Sequence, residues 1–133
     1  MLPEVPGVLT ADEIRLTADR IAEWQMPDGM IPWYPGGHAD PWNHIEAAMA
    51  LAIGERRTEA EAAYQWLADI QRHDGAWHQY YINGEVEQDK LDANVIAYVA
   101  AGTWHHFLLY RDQGFLETMW PVVSRAIDFV LDL

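Results

Sequence analysis

Cysteine is absent from the 133-residue chain, which excludes disulfide bonds, thiol chemistry and cysteine-ligated metal sites. Basic residues are few: 8 Lys and Arg stand against 21 Asp and Glu, and the formal net charge is -13. A chain this acidic is repelled by phosphate backbones and anionic membrane surfaces, so we expect no nucleic-acid partner. The longest apolar run falls well short of the roughly 20 residues that a membrane span needs. No secretory signal pattern is visible, and a cytoplasmic protein is expected.

Half of the residues are hydrophobic, and 7 of them are Trp. This length and composition predict a single globular domain, residues 1–133, with one modest core. So many Trp residues need a reason. They indicate either a structural plug repeated along the chain or the wall of a cavity.

Capping signals and apolar periodicity predict five helices. Thr10 with Glu13 and Thr58 with Glu61 have the spacing of capping boxes. Asp40 precedes Pro41 as an N-cap precedes a proline in the first turn. The predicted helices are residues 10–25, 41–53, 58–71, 90–110 and a fifth from Phe115 onward.

The first, third and fifth of these helices are amphipathic, whereas the second and fourth are apolar around most of their circumference. Alternating outer and buried inner helices are typical of helical hairpins placed side by side. This order predicts an all-α protein that forms part of an α/α toroid with a central cavity. A plain four-helix bundle fits less well, since all its helices would be amphipathic.

A Q-x-x-D-G motif occurs twice, beginning at Gln25 and at Gln71. We expect Gln71 and Asp74 to form a repeated clasp, in which the Gln binds free N–H groups of a neighbouring inner helix and Gly75 adopts a positive φ. The chain ends where a third motif would begin. We therefore expect residues 1–133 to be the N-terminal part of a longer toroid, truncated after Leu133.

The pattern at Gln71, Asp74, Gly75 and Trp77 resembles the QW repeat of the squalene-cyclase and prenyltransferase toroid superfamily. The whole chain resembles actinobacterial proteins labelled prenyltransferase-like. Six-hairpin glycosidases share this toroid, and the segment from Asp92 onward is also similar to glucoamylase-like chains. The first resemblance implies an isoprenoid-processing enzyme. Aligned with a cyclase D-x-D-D motif, however, Leu91 stands in the place of the proton donor.

Two aromatic loops, residues 30–44 and 77–92, precede the two inner helices and should lie at the same end of the toroid. Aromatic faces suit a sugar ring or an isoprenoid. Alternatively, Trp33 and Trp42 only seal the end of the barrel. The predicted substrate-binding residues are Trp33, Tyr34, His38, Asp40, Trp42, His78 and Tyr80.

Asp89 and Asp92 are the predicted catalytic carboxylates, with Asn43 and Glu46 nearby on the other inner helix. Glycoside hydrolysis needs such a pair, one acid and one base or nucleophile. The alternative is that both Asp residues only favour the first helical turn through the helix dipole. No metal site is expected, since the spacing of His38, Asp40 and His44 is no established signature. Magnesium would be needed only for a diphosphate substrate.

The sequence thus predicts a prenyltransferase-like or terpenoid-cyclase-like domain that binds a small molecule in an aromatic, acidic cavity. One alternative is a carbohydrate-processing domain of the six-hairpin glycosidase type. Another is a non-enzymatic α/α scaffold. Whether the chain is an enzyme stays open at this point. Self-association, or contact with the remainder of a longer chain, is expected at an open apolar edge.

Overall fold

A computed structural model describes residues 2–133 as five helices and one two-stranded antiparallel sheet. The chain is therefore mostly helical, as predicted, but not strictly all-α. Among the described helices, none combines the length and the apolar character that crossing a membrane requires. The elements are α1 (Ala11–Trp24), α2 (Pro41–Ile53), α3 (Arg57–Ile70), β1 (Tyr80–Ile82), β2 (Glu85–Gln88), α4 (Ala93–Tyr110) and α5 (Gln113–Leu131).

Side-chain caps mark the start of four helices, and three of these caps are Thr10, Asp40 and Asp92. Thr10 and Glu13 form the predicted capping box, with the Glu13 amide 3.2 Å from Thr10 Oγ1 and the Thr10 amide 2.8 Å from Glu13 Oε2. Asp40 caps α2 through the Asn43 amide, and Asp92 caps α4. A side chain that satisfies a free N–H group at a helix start is visible in sequence, so these starts were predictable.

Three helix starts differ from the prediction, and that of α4 is at Ala93 rather than at residue 90. Helix α3 begins at Arg57, and its N-cap residue makes no side-chain capping hydrogen bond, so the predicted box at Thr58 is wrong. Glu61, the other residue of the predicted capping box, instead accepts a hydrogen bond from Arg57 Nε at 2.7 Å. Helix α5 begins earlier than Phe115 because Asp112 caps it, accepting from the Phe115 amide at 3.0 Å.

The loop between α3 and α4 contains a β-hairpin that the helix-based prediction missed. Strands β1 and β2 are joined by Asn83 and Gly84, which both have positive φ angles, of 50° and 79°. Asn-Gly between two short β-forming segments is a strong signal for a two-residue hairpin turn. The hairpin carries the aromatic residues of this loop to the start of α2.

Helices α2 and α4 lie side by side, with α1 and α3 packed on α2 and α5 packed on α4. Helix α2 is exposed only near its start, at Trp42, Asn43 and Glu46. The prediction that α4 is a buried inner helix is wrong for one face, because Ala101, Trp104 and Leu108 are exposed. Their spacing places them on one face of the helix, on which no other element of residues 2–133 packs. The sequence pattern thus identified an apolar face of α4, but it did not show which element packs on that face.

The first Q-x-x-D-G turn is fastened to the next outer helix through the side chain of Gln25. Gln25 Nε2 donates to the carbonyl of Gly29 in its own turn, at 3.0 Å, and to the carbonyl of Glu59 in α3, at 2.9 Å. Both partners are carbonyl groups, and only that of Glu59 belongs to a helix, α3. The expected bonding of Gln to N–H groups of an inner helix is therefore wrong, since the amide nitrogen acts as donor.

The second turn repeats this arrangement on α5. Gln71 Nε2 donates to the carbonyls of Gly75, at 3.0 Å, and Val122, at 2.9 Å. Gly75 has the expected positive φ, of 95°, and a Cβ atom there would lie only 2.2 Å from the Arg125 carbonyl oxygen. Trp77 is buried beside the turn and donates from Nε1 to the Leu67 carbonyl at 2.9 Å. Each turn therefore packs backbone against backbone on the following outer helix.

Substitution of Gly75 by Ala should destabilise the protein by about 3 kcal/mol or more, because the new Cβ adds a backbone clash to the strain of a positive φ. Gly84→Ala is the matched control, since Gly84 also has a positive φ but has nothing within 4 Å of the added Cβ. It should cost only about 1 kcal/mol. Urea unfolding measures both values, and equal losses would contradict the proposed close packing.

Candidate functional site

The two aromatic loops meet where α2 and α4 begin. Ala39 and Tyr81 exchange two backbone hydrogen bonds of 2.9 Å, which join the loop before α2 to strand β1. His38 Nδ1 lies 2.8 Å from Glu87 Oε2 of strand β2. These contacts confirm the prediction that both helix-opening loops lie at the same end of the fold.

Trp33, His38 and Tyr80 form an aromatic shelf at this junction. The His38 ring stacks on Tyr80 with centroids 4.4 Å apart, and the Trp33 ring is perpendicular to His38, with centroids 4.7 Å apart and an interplanar angle of 87°. Trp33 is 46% exposed, and its neighbour Tyr34 is 57% exposed. Among the described residues, His38 Nε2 has no hydrogen-bond partner. The exposed ring surface of the shelf is therefore mainly that of Trp33, whereas the His38 nitrogen without a partner is buried.

Asp40 lies at the N–H edge of the Trp33 ring and is only 3% exposed. Its Oδ2 accepts from Trp33 Nε1 and from Asn43 Nδ2, both at 2.7 Å, while Oδ1 accepts from the Asn43 amide at 2.9 Å. The same carboxylate thus caps α2 and holds the Trp33 indole in place. Its N-cap role is confirmed, and its predicted contact with a substrate stays a prediction.

Trp42 belongs to a second aromatic group, which the structure places on the exposed start of α2. Its ring stacks on Tyr98 of α4, with centroids 5.1 Å apart and an interplanar angle of 27°. Glu46 Oε1 accepts hydrogen bonds from Trp42 Nε1 at 2.8 Å and from the Tyr98 hydroxyl at 3.3 Å. Tyr98 was not among the predicted site residues. A Tyr in the second turn of an apolar helix gives no sequence signal of its partner.

His78 makes its contacts away from the shelf. Its Nδ1 lies 3.1 Å from the Asp89 carbonyl oxygen, and its Nε2 lies 3.3 Å from Arg72 Nη1. Arg72 binds Asp74 at 2.7 Å and lowers the pKa of that carboxyl group to about 2. His78 lines a separate pocket of about 380 Å³ together with Trp66 and other residues. The other lining residues are Asp28, Asp69, Ile70, Arg72, Tyr81, Gly84 and Val86.

The two predicted catalytic carboxylates differ in their surroundings. Asp92 is the N-cap of α4, and its Oδ1 lies 3.0 Å from the Asn94 amide and 3.4 Å from the Val95 amide. Asp89 is exposed, and within residues 2–133 its side chain makes no hydrogen bond. The capping alternative therefore describes what Asp92 does in the fold. The catalytic roles of both residues stay predictions.

His44 ties the site to the core of the protein. Its Nδ1 accepts from the Ile31 amide at 3.0 Å, and its Nε2 donates to the Ala63 carbonyl at 2.8 Å. Burial lowers the pKa of His44 to about 4, so the ring is neutral at physiological pH. With both nitrogens bonded to the backbone, His44 has no lone pair left for a metal. Residues 2–133 contain no group of three or more side chains arranged to ligate one.

No protein-family model matches the chain. The chain is 52% identical, over 99% of its length, to the MMP endo-(1,4)-3-O-methyl-alpha-D-mannosidase of Mycolicibacterium hassiacum, and spans 37% of that relative. An uncharacterized glycosyl hydrolase of Methanocaldococcus jannaschii is 25% identical over 62% of the chain, which spans 14% of that protein. These relatives support the carbohydrate-processing alternative better than the prenyltransferase-like hypothesis, which gains no support.

The stability of the protein should fall as the pH drops from about 7 towards 4. The pKa of His44 is about 4 in the folded state, against 6.5 for an unperturbed His, so the unfolded state binds more protons between these values. The loss attributable to His44 should reach about 3 kcal/mol at pH 4. Urea unfolding from pH 7.5 to 4.5 should show this loss in the wild type and not in His44→Gln.

The exposed His73 supplies the control, since His73→Gln should keep the pH dependence of the wild type. Parallel pH profiles for the wild type and His44→Gln would contradict the neutral buried His44. An NMR titration of the His44 ring in the wild type measures the same pKa without a substitution.

Proposed function

We propose that this chain contributes the glycan-binding part of a glycosidase-like, carbohydrate-processing enzyme. The observation that carries the proposal is the aromatic shelf, with the exposed Trp33 ring held by the buried carboxylate of Asp40, at the end where both α2 and α4 begin. The 52% identity to a mannosidase across nearly the whole chain supports the same chemistry.

The shelf suits a neutral sugar better than an anionic isoprenoid diphosphate. A pyranose ring has an apolar C–H face that packs on an indole, while polar groups at the edge fix its hydroxyls. Two carboxylates contact the shelf, that of Asp40 at Trp33 and that of Glu87 at His38. They would repel a diphosphate unless a divalent cation intervened. A neutral glycan needs no such cation.

We further propose a methylated mannose polymer as the substrate class, from the printed activity of the mannosidase relative. A methyl ether replaces a sugar hydroxyl by apolar surface and removes a hydrogen-bond donor. Trp33 and Tyr34 offer exposed ring surface of the kind that buries such a group. An unmethylated glycan would leave hydroxyls facing these rings without partners.

The helical hairpins fit an α/α toroid of the six-hairpin glycosidase type, and we propose this arrangement for the domain. It is supported by the adjacent inner helices, which begin at one end, and by the outer helices packed behind them. The exposed apolar face of α4 at Trp104 and Leu108 is where we expect self-association or contact with further hairpins. That such hairpins follow Leu133 stays a prediction.

Replacement of Trp33 by Ala should weaken glycan binding about tenfold or more, because the sugar loses its main stacking surface. Calorimetric titration with an α-(1,4)-linked 3-O-methylmannose oligosaccharide measures this, and the unmethylated oligosaccharide should bind more weakly to the wild type. Trp104→Ala is the control, since it removes an exposed Trp of α4 outside the site. Equal affinities in all three proteins would contradict the shelf as the binding surface.

The catalytic roles of Asp89 and Asp92 can be separated from helix capping. Ser is also a good N-cap residue, so Asp92→Ser should keep the stability of α4 while removing the carboxylate. If both Asp residues act in hydrolysis, Asp92→Ser and Asp89→Asn should each slow the release of reducing ends about 100-fold or more. Unchanged rates with unchanged melting temperatures would show that neither carboxylate is catalytic. A wild type that cleaves neither glycan would contradict glycosidase activity in this chain.

A further inference from the structure

A second aromatic surface adjoins the shelf on the exposed start of α2. One face of the Trp42 ring is covered by Tyr98, whereas the residue as a whole remains 38% exposed. A Trp that is held on one side and open on the other is a rigid platform, which loses little conformational entropy when a ligand packs on it.

Glu46 is held beside this platform by two hydrogen bonds to the same oxygen. Trp42 Nε1 and the Tyr98 hydroxyl both donate to Oε1, so that the carboxylate is fixed in orientation. Its second oxygen, Oε2, accepts no hydrogen bond from the described part of the chain, and the residue is exposed. Partial burial and the charge of Glu46 raise the pKa of Tyr98, which therefore stays a hydroxyl donor.

The two surfaces follow one another around the exposed start of α2. Asp40, Asn43 and Glu46 come at intervals of three residues, so each side chain is a neighbour of the next on the helix surface, rotated by about 60°. Asp40 holds Trp33 of the shelf and the Asn43 side chain, and Glu46 holds Trp42. Six residues separate Asp40 from Glu46, so the platform continues the shelf over nearly two helical turns, or roughly 9 Å along the axis.

We infer that Trp42 and Glu46 form a second sugar subsite next to the shelf, so that the site binds at least two linked sugar units rather than a single one. This inference rests on the proposed glycan site. One unit packs on the shelf, and the next places its C–H face on Trp42 and donates hydroxyl hydrogen bonds to Glu46 Oε2. Tyr98 is a positioning residue, since it acts through Trp42 and Glu46.

Calorimetry with one, two and four units of α-(1,4)-linked 3-O-methylmannose tests this inference. For the wild type, affinity should rise about tenfold from one unit to two. Trp42→Ala and Glu46→Gln should reduce this gain to about threefold or less, while leaving the affinity for one unit unchanged. Tyr98→Phe should have a smaller effect of the same kind, because it keeps the ring and loses the hydroxyl.

Two matched controls lie outside the site: Trp104→Ala for the Trp substitution and Glu117→Gln, an exposed Glu of α5, for the charge change. Circular dichroism checks the fold of each variant. Should Trp42→Ala unfold, Trp42→Phe and Glu46→Gln still test the subsite, because Phe retains a ring against Tyr98.

The outcomes separate the two proposals. If the affinity gain from one unit to two persists in Glu46→Gln and in the folded Trp42 variants, the second subsite is overturned. The proposed glycan site still stands in that case if Trp33→Ala weakens binding. A wild type that binds one unit as tightly as four also overturns it. If no glycan binds to the wild type, both proposals fail together.

Discussion

The neutral imidazole of His44 is the constraint on which the arrangement of the site depends. It joins the aromatic loop through Ile31 to outer helix α3 through Ala63, and so fixes the rotation of α2 about its own axis. Successive residues of a helix turn by about 100°, so residues two positions before and after His44 point almost directly away from it. Those residues are Trp42 and Glu46. Because the His44 ring is hydrogen-bonded towards the core, the side chains of Trp42 and Glu46 face outward.

The arrangement requires that the His44 ring stay uncharged. A protonated His44 would present a donor to the Ile31 amide, which also donates, and would leave a charge in the core. The low pKa is therefore a consequence of the geometry as well as of burial. Asp40 plays a complementary part at the start of the same helix, where its carboxylate receives hydrogen bonds from Trp33 and Asn43. Asp40 and His44 thus both hold the first turn of α2 in place through hydrogen bonds to other parts of the chain.

Features that depend on neighbouring residues were predictable from the sequence, and features that depend on distant partners were not. The caps at Thr10, Asp40 and Asp92 involve residues a few positions apart, so their spacing identified them. The pairing of Trp42 with Tyr98 depends on the relative rotation of two helices, which no local pattern encodes. The β-hairpin was predictable from its Asn-Gly turn but was missed among helical signals.

The likeness to terpenoid toroids captured features that glycosidases of the same architecture share, and it therefore could not decide the chemistry. Aromatic loops at the start of inner helices serve either ligand class. The departure from the cyclase D-x-D-D motif was more informative about the chemistry than the matches to the toroid superfamily. Leu91, in the position of a cyclase proton donor, is partly exposed next to the cap of α4, and it has no acidic group to offer.

The Q-x-x-D-G turns also restrict how the length of such a chain can vary during evolution. Gln71 spans a four-residue turn and reaches a carbonyl group 51 positions further on, so one inserted residue inside the turn would break both bonds. The Asn83-Gly84 tip carries no comparable requirement, since no atom of residues 2–133 other than those of Gly84 and its two chain neighbours lies within 4 Å of a Cβ added at Gly84. Insertions and deletions among homologous chains should therefore collect at that tip, whereas the spacing from Gln71 to Gly75 should stay constant.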